Sequence, residues 1–103
     1  MDINVTELKQ KLDQQEKFVF IDVREQYEFD EANLGAQLIP LGDIPGKLAD
    51  LMEHKDEEIV VHCRSGRRSA MAQELMRQAG FSNVRNLEGG ILAWIDAFGS
   101  AVK

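Results

Sequence analysis

Cys63 is the only cysteine of the chain, and three arginines, Arg64, Arg67 and Arg68, lie within the five positions after it. A cysteine reacts as its thiolate, and nearby cations lower the pKa of the thiol from about 8.5 by one to several units. The same cations attract anionic substrates. A cysteine after a strand is more commonly a small buried residue. Because the arginines cluster in an otherwise acidic chain, we instead predict a nucleophile in an anion-binding loop.

The loop is expected to lie between a buried strand and a helix. The β-branched run Ile59-Val60-Val61 predicts the strand, and the residues from Ser69 to Ala79 favour the helix. Backbone N–H groups in such a loop can converge on one point, and a helix N-terminus adds unpaired donors and partial positive charge. Gly66 permits the backbone angles that a compact anion-binding loop needs. We expect Ser65, Gly66 and Ser69 to act mainly through backbone N–H groups and helix capping.

We expect the three arginines of the loop to have different roles. Arg64 and Arg68 are the main candidates for holding a donor anion and lowering the pKa of Cys63. Arg67 points either to the substrate or to solvent, and the sequence does not decide between the two. Solvated surface charge is the alternative for each arginine taken alone.

Two chemistries use a cysteine in an anion-binding loop, namely sulfur transfer and phosphate-ester hydrolysis. Cysteine phosphatases place an arginine six positions after the cysteine, so that the loop wraps a phosphate. In this chain that position is Ser69, and the last arginine of the loop, Arg68, comes one position earlier. A smaller ring suits the single outer sulfur of a persulfide better than a tetrahedral phosphate, so the spacing favours sulfur transfer.

Asp22 and Arg24 follow the other strongly predicted strand, Phe18 to Ile21. Carboxyl ends of parallel strands meet at one edge of a sheet, so this pair could support the loop through charge-assisted hydrogen bonds. An ordinary structural ion pair is an equally good interpretation. His62 would point to the opposite face of its strand from Cys63, which favours a structural role over that of a general base. One cysteine and two histidines at this spacing predict no metal site.

Strands and helices alternate along the chain, which predicts an α/β fold with a mainly parallel sheet. A short first strand is expected near Ile3 to Val5, before a helix capped by Thr6. The other expected elements are a short helix from Arg24 to Phe29, a strand at 38–40, a helix from Ile44 to about His54, a strand at 84–87, and a C-terminal helix that begins at Gly89-Gly90.

Length and charge restrict the classes of function. With 103 residues and 44% hydrophobic composition, the chain suits one domain over residues 1–103. A formal net charge of −6 disfavours general nucleic-acid binding and adhesion to anionic membranes. The N-terminus has no signal-peptide pattern, so we expect a cytoplasmic protein. A small acidic domain without an obvious exposed apolar stripe predicts a monomer.

At this point the chain resembles the rhodanese family, and the order and spacing of the matching segments extend over almost all of it. The cysteine loop, the Asp-Val-Arg segment and the Gly-Gly-Ile-x-Ala-Trp tail together are highly specific. The matching segments are Phe20-Ile21-Asp22-Val23-Arg24-Glu25, Tyr27-Glu28-Phe29, Gly35-Ala36, Ile39-Pro40-Leu41, Cys63-Arg64-Ser65-Gly66-Arg67-Arg68-Ser69, Gly80-Phe81, Asn83-Val84, Leu87-Glu88-Gly89-Gly90-Ile91 and Ala93-Trp94.

The resemblance implies a three-layer fold with a five-stranded parallel sheet flanked by helices. It also implies that Cys63 takes sulfur from a donor such as thiosulfate, holds it as a persulfide, and passes it to cyanide or a thiol, without a cofactor. The basic loop is similar to those of thiosulfate users. One segment departs from the family pattern, because Glu31-Ala32 stands where many members have Gly-His.

Alternatives to a thiosulfate sulfurtransferase remain at this stage. In a sulfur-relay protein, Cys63 would take persulfide from a protein partner. A phosphatase or arsenate reductase is disfavoured by the short loop. A non-catalytic binding module is disfavoured because inactive members usually lack the cysteine.

Overall fold

Four parallel strands form the central sheet of the computed structural model, which describes residues 1–101; positions 102 and 103 of the expected domain lie outside the described residues. The strand order is β2-β1-β3-β4, and β1 and β3 pair along their whole length. The strands are β1 (Val19–Asp22), β2 (Gln37–Leu38), β3 (Ile59–His62) and β4 (Val84–Asn86). The α/β fold with a parallel sheet is therefore confirmed.

Within residues 1–101, five α-helices connect and cover these strands. They are α1 (Val5–Asp13), α2 (Gln26–Glu31), α3 (Ile44–Leu51), α4 (Arg67–Gln78) and α5 (Gly90–Phe98), and two short 3-10 turns flank α3. No helix within residues 1–101 is long and apolar enough to cross a membrane.

The two faces of the sheet carry separate hydrophobic clusters, because alternate strand residues point to opposite sides. Ile59 and Val61 face one cluster, which includes residues of α3 and α4. Val60 faces the other, together with Trp94 and other residues of α1 and α5. All residues of β3 are buried, as the β-branched run predicts for a strand covered on both sides. The result is a three-layer arrangement of helices, sheet and helices.

The expected fifth strand is reduced to a single parallel bridge between Ile3 and Leu87. The physical reason lies in Asn4, whose side-chain oxygen accepts a hydrogen bond from the Glu7 backbone N–H at 2.8 Å. This contact caps α1, so the chain turns into the helix directly after the bridge. Asn4 is thus the N-cap, and the assignment of that role to Thr6 was wrong.

Further boundaries differ from expectation by a few residues, and two of these differences have a clear local cause. The helix predicted from Arg24 begins at Gln26, because Glu25 forms a capping box with Glu28. The predicted strand at 38–40 ends at Leu38, and Pro40, which has no N–H to donate to a sheet, instead precedes a 3-10 turn.

Candidate active site

Cys63 is the first residue after β3, and only 1% of its surface is exposed. The three residues after it form the loop, and α4 begins at Arg67. Gly66 adopts a φ of 102°, which is strained for residues with a side chain and available to glycine. The structure thus contains the strand, loop and helix that the sequence indicated around the cysteine.

The backbone of the loop is directed at the sulfur. The N–H of Gly66 donates to Cys63 Sγ at 3.1 Å, and the N–H of Ser69 donates to it at 3.4 Å. The Ser69 hydroxyl lies 3.3 Å from the same sulfur. Gly66 and Ser69 therefore present backbone donors to the sulfur, and Ser69 adds its side chain.

These donors determine the ionisation of Cys63. Burial raises the pKa of the thiol, whereas hydrogen bonds from the Ser69 hydroxyl and from the backbone of Ser69, Gly66 and Ser65 lower it, and the net pKa lies below its ordinary value. Hydrogen bonds to a thiolate favour the charged form in the same way as a nearby cation does. The arrangement can therefore stabilise a nucleophilic thiolate.

Asn86 holds the loop from the end of β4, although it is not among the predicted site residues. Its Nδ2 donates to the Gly66 carbonyl at 3.0 Å, and its Oδ1 accepts from the Ser69 hydroxyl at 2.5 Å. The single Ser69 proton can go to Asn86 when the cysteine is a thiol and to the sulfur when it is ionised. The sequence feature that could have identified Asn86 is its position as a polar residue at the carboxyl end of a parallel strand.

The three arginines occupy different surroundings. Arg64 and Arg67 are exposed, as is Ser65. Arg68 is partly exposed, and its guanidinium forms a two-point ion pair with Glu28 in α2, with N–O distances of 2.6 and 2.9 Å. The hydrogen bond to Arg68 lowers the pKa of Glu28 to about 2 despite partial burial, so the carboxylate is ionised at neutral pH.

Asp22 and Arg24 form a buried ion pair at the end of β1. Asp22 is fully buried and Arg24 is 4% exposed. Arg24 Nη2 donates to Asp22 Oδ2 at 2.8 Å and to the Ala32 carbonyl at 2.7 Å. Arg24 Nη1 also lies 3.4 Å from the Glu28 carbonyl. The pair therefore fixes α2, which carries Glu28, against the sheet.

His62 lies under the loop and is fully buried. Its Nε2 is 3.5 Å from Asp22 Oδ2 and has no hydrogen-bond partner among the described residues. Burial lowers the pKa of His62 and outweighs the opposing effect of the Asp22 carboxylate. Its Nδ1 lies 3.4 Å from the Cys63 carbonyl rather than the sulfur, so no path for proton transfer to Sγ is visible.

An open cleft of about 190 Å³ lies beside the loop and combines charged groups with an aliphatic wall. It includes Glu31 and Ala32, the two residues that depart from the family pattern. No group of three or more potential metal ligands occurs among residues 1–101. The cleft is lined by Arg24, Glu28, Glu31, Ala32, Arg64, Ile91, Leu92 and Ile95.

Comparison with known proteins gives consistent matches. The putative sulfurtransferase YtwF of Bacillus subtilis strain 168 is 40% identical over 94 residues, which are 90% of this chain and 88% of YtwF. The putative sulfur carrier protein YrkF of the same organism is 38% identical over 94 residues, but the chain spans only 50% of its length. The crystal structure of a rhodanese-related protein from Thermoplasma volcanium superposes with a TM-score of 0.82 at 31% identity, covering 94% of this chain and 92% of that one.

The family model described as Rhodanese-like domain matches residues 4–97. The match includes the four strands and the cysteine loop described above. The chain therefore belongs to the rhodanese-like domain family.

Proposed function

We propose that this protein is a sulfurtransferase that carries sulfane sulfur as a persulfide on Cys63. The observation that carries the proposal is the convergence of the Gly66 N–H, the Ser69 N–H and the Ser69 hydroxyl on Cys63 Sγ. Such donors stabilise the thiolate that must attack and, later, the thiolate that must leave. The relatives named sulfurtransferase or sulfur carrier support the same class of reaction.

Thiosulfate is the donor that we propose. The thiolate of Cys63 attacks its outer sulfur, a new S–S bond forms, the original S–S bond breaks, and sulfite leaves with the electron pair. Arg64 and Arg67, which are exposed beside the loop, attract the dianion. An acceptor such as cyanide or a thiolate then attacks the outer sulfur of the persulfide, and the Cys63 thiolate leaves.

The placement of Arg68 gives a reason to prefer this reaction to phosphate-ester hydrolysis. A phosphatase loop needs its arginine to reach the bound phosphate, whereas the guanidinium of Arg68 is held by Glu28. The backbone donors around Cys63 converge on its single sulfur atom, which suits the stabilisation of a thiolate.

Steady-state kinetics test the proposal. With thiosulfate and cyanide varied together, thiocyanate formation should follow a double-displacement pattern, because the persulfide forms before the acceptor reacts. Cys63→Ser should abolish turnover while leaving the melting temperature within a few degrees of wild type. Undiminished turnover by Cys63→Ser, or efficient hydrolysis of an aryl phosphate by the wild type, would overturn it.

A second candidate is sulfur relay between proteins, with thiosulfate only a surrogate donor. The relative named as a putative sulfur carrier favours it, and so does the exposed face of the loop at Arg64, Ser65 and Arg67, which a protein partner could reach. Relay predicts that a persulfidated cysteine desulfurase loads Cys63 with a much higher kcat/KM than thiosulfate. An equal or lower kcat/KM would favour the small-molecule reaction.

A further inference from the structure

The backbone of Arg68 adjoins a residue that contacts the reactive sulfur, but its charged guanidinium is paired with Glu28 in another helix. It lies in the first turn of α4, next to Ser69, whose N–H and hydroxyl contact Cys63 Sγ. Its guanidinium nevertheless pairs through two nitrogens with the carboxylate of Glu28. A two-point pair occupies one donor edge of the guanidinium, and arginine binds carboxylates and other oxyanions through such an edge.

Glu28 is held in place independently of Arg68. Its Oε1 accepts a hydrogen bond from the Glu25 N–H at 3.1 Å, and its carboxylate completes the capping box of α2. The C-terminal end of α2 is tied to the sheet by the bond from Arg24 to the Ala32 carbonyl. The carboxylate therefore stays at the rim of the site, and its side chain is only 13% exposed.

An ionised carboxylate in this position has two consequences for an anion that approaches Cys63. It neutralises Arg68, one of the three arginines that follow Cys63, and it competes with the anion for the hydrogen-bond donors of Arg68. Arg64 and Arg67 keep their charge in solvent, where it is strongly screened.

We propose that Glu28 is a specificity-determining residue, which acts by holding Arg68 and so weakens the preference of the cysteine site for anionic over uncharged reactants. The inference rests on the proposed sulfur-transfer function and extends it to the choice of donor. Removing the Glu28 charge should release Arg68 toward the anion, so that anionic donors such as thiosulfate react at lower concentration.

The test compares alkylation of Cys63 by iodoacetate, an anion, with alkylation by iodoacetamide, its uncharged analogue. Both reagents attack through the same thiolate, so the ratio of their rate constants cancels changes in the pKa and accessibility of the sulfur and reports the local charge. Glu28→Gln keeps the shape of the side chain and an oxygen for the capping bond. We expect it to raise the iodoacetate to iodoacetamide ratio by roughly fivefold, and to lower the KM for thiosulfate with little change in kcat.

Glu31→Gln is the matched control, because Glu31 lies one turn later in α2, lines the same cleft, and forms no ion pair with another described residue. Its ratio should change much less than that of Glu28→Gln. In an Arg68→Ala background, Glu28→Gln should have only a small further effect, similar to that of Glu31→Gln, since most of its influence acts through Arg68.

The proposal would be overturned by an unchanged or lower ratio in Glu28→Gln, by equal increases in Glu28→Gln and Glu31→Gln, or by an undiminished Glu28→Gln effect without Arg68. The alkylation assay needs no sulfur donor. If the ratio behaves as expected but thiosulfate is not turned over, the proposed donor is wrong and the role of Glu28 stands. If thiosulfate is turned over but the ratio does not respond, only the role of Glu28 is wrong.

Discussion

The backbone of Gly90 passes so close to the cysteine loop that a Cβ added to it would lie 2.5 Å from the carbonyl oxygen of Cys63. The Ile91 N–H, one residue later, donates to that same oxygen at 3.0 Å. The start of α5 therefore fixes the peptide that carries the reactive residue. A side chain at position 90 could be accommodated only by moving one of these two backbones.

We predict that Gly90→Ala destabilises the protein by about 2–5 kcal/mol, because overpacking adds to the strain of a φ near 61°. Urea denaturation measures the loss. Gly46→Ala is the control, since Gly46 lies within α3 with no atom within 4 Å of an added Cβ, and it should stabilise the protein by about 0.5–1 kcal/mol. Equal stabilities for the two variants would show that the close approach is unimportant.

The Ser69 hydroxyl should make a measurable contribution to the ionisation of Cys63. Its donated hydrogen bond lowers the pKa of the thiol, so Ser69→Ala should shift the pH profile of iodoacetamide alkylation to higher pH. The shift should be partial, because the Gly66 and Ser69 backbone donors remain. Ser82→Ala, whose hydroxyl donates to the Lys55 carbonyl and forms no hydrogen bond with Cys63, serves as the control. Superimposable profiles for Ser69→Ala and wild type would refute this role.

The pair between Glu28 and Arg68 should make stability depend on pH in the acid range. The pKa of Glu28 falls to about 2 in the folded protein, below its unfolded value of 4.5, so the unfolded state binds the proton first as pH falls. The contribution of the pair is complete above about pH 5 and is lost as pH falls toward 2. Because about a third of the Arg68 side chain is exposed, it amounts to roughly 1 kcal/mol or less.

Urea denaturation of wild type and Glu28→Gln at several values of pH measures this contribution. The difference in unfolding free energy should be greatest near neutral pH and should shrink as pH falls through the range from 4.5 to 2. Glu31→Gln controls for the change in net charge. A difference that stayed constant across this range would contradict the expected linkage.

Removing one partner of the buried pair of Asp22 and Arg24 should lower the free energy of unfolding far more than removing one partner of a surface pair. Asp22→Asn leaves the Arg24 charge buried without its counter-charge, which we expect to cost about 3–5 kcal/mol of unfolding free energy. Asp13→Asn, which breaks the exposed pair with Lys9, should cost about 0.5 kcal/mol or less. Similar losses in the two variants would show that burial of the first pair has little effect.

Local patterns in the sequence predicted the parts of the structure that depend on neighbouring residues. The β-branched run before Cys63 and the glycine of the loop, Gly66, depend on local backbone preferences, and the structure has the expected strand, loop and helix there. The fifth strand failed for an equally local reason, since the capping ability of Asn4 outweighed the strand preference of Ile3 and Val5. Both Asn4 and Thr6 are good N-cap residues, and the sequence alone did not separate them.

Contacts between distant segments were not predictable in the same way. Asn86 meets the loop only because β4 pairs with β3, and the partner of Arg68 lies forty positions earlier. Resemblance to the family identified Glu28 as part of a matching segment but did not indicate that it would hold an arginine of the cysteine loop. The distribution of charge around Cys63 could therefore be determined only from the structure.

Intact-mass measurement after incubation with thiosulfate tests the central claim most directly. Wild-type protein should gain the mass of one sulfur atom, cyanide should remove it, and Cys63→Ser should gain nothing, because the persulfide forms on the thiolate that Gly66 and Ser69 stabilise. A wild-type protein that gains no mass from thiosulfate or from a persulfidated protein donor would contradict the claim. So would a sulfur adduct that persists in Cys63→Ser.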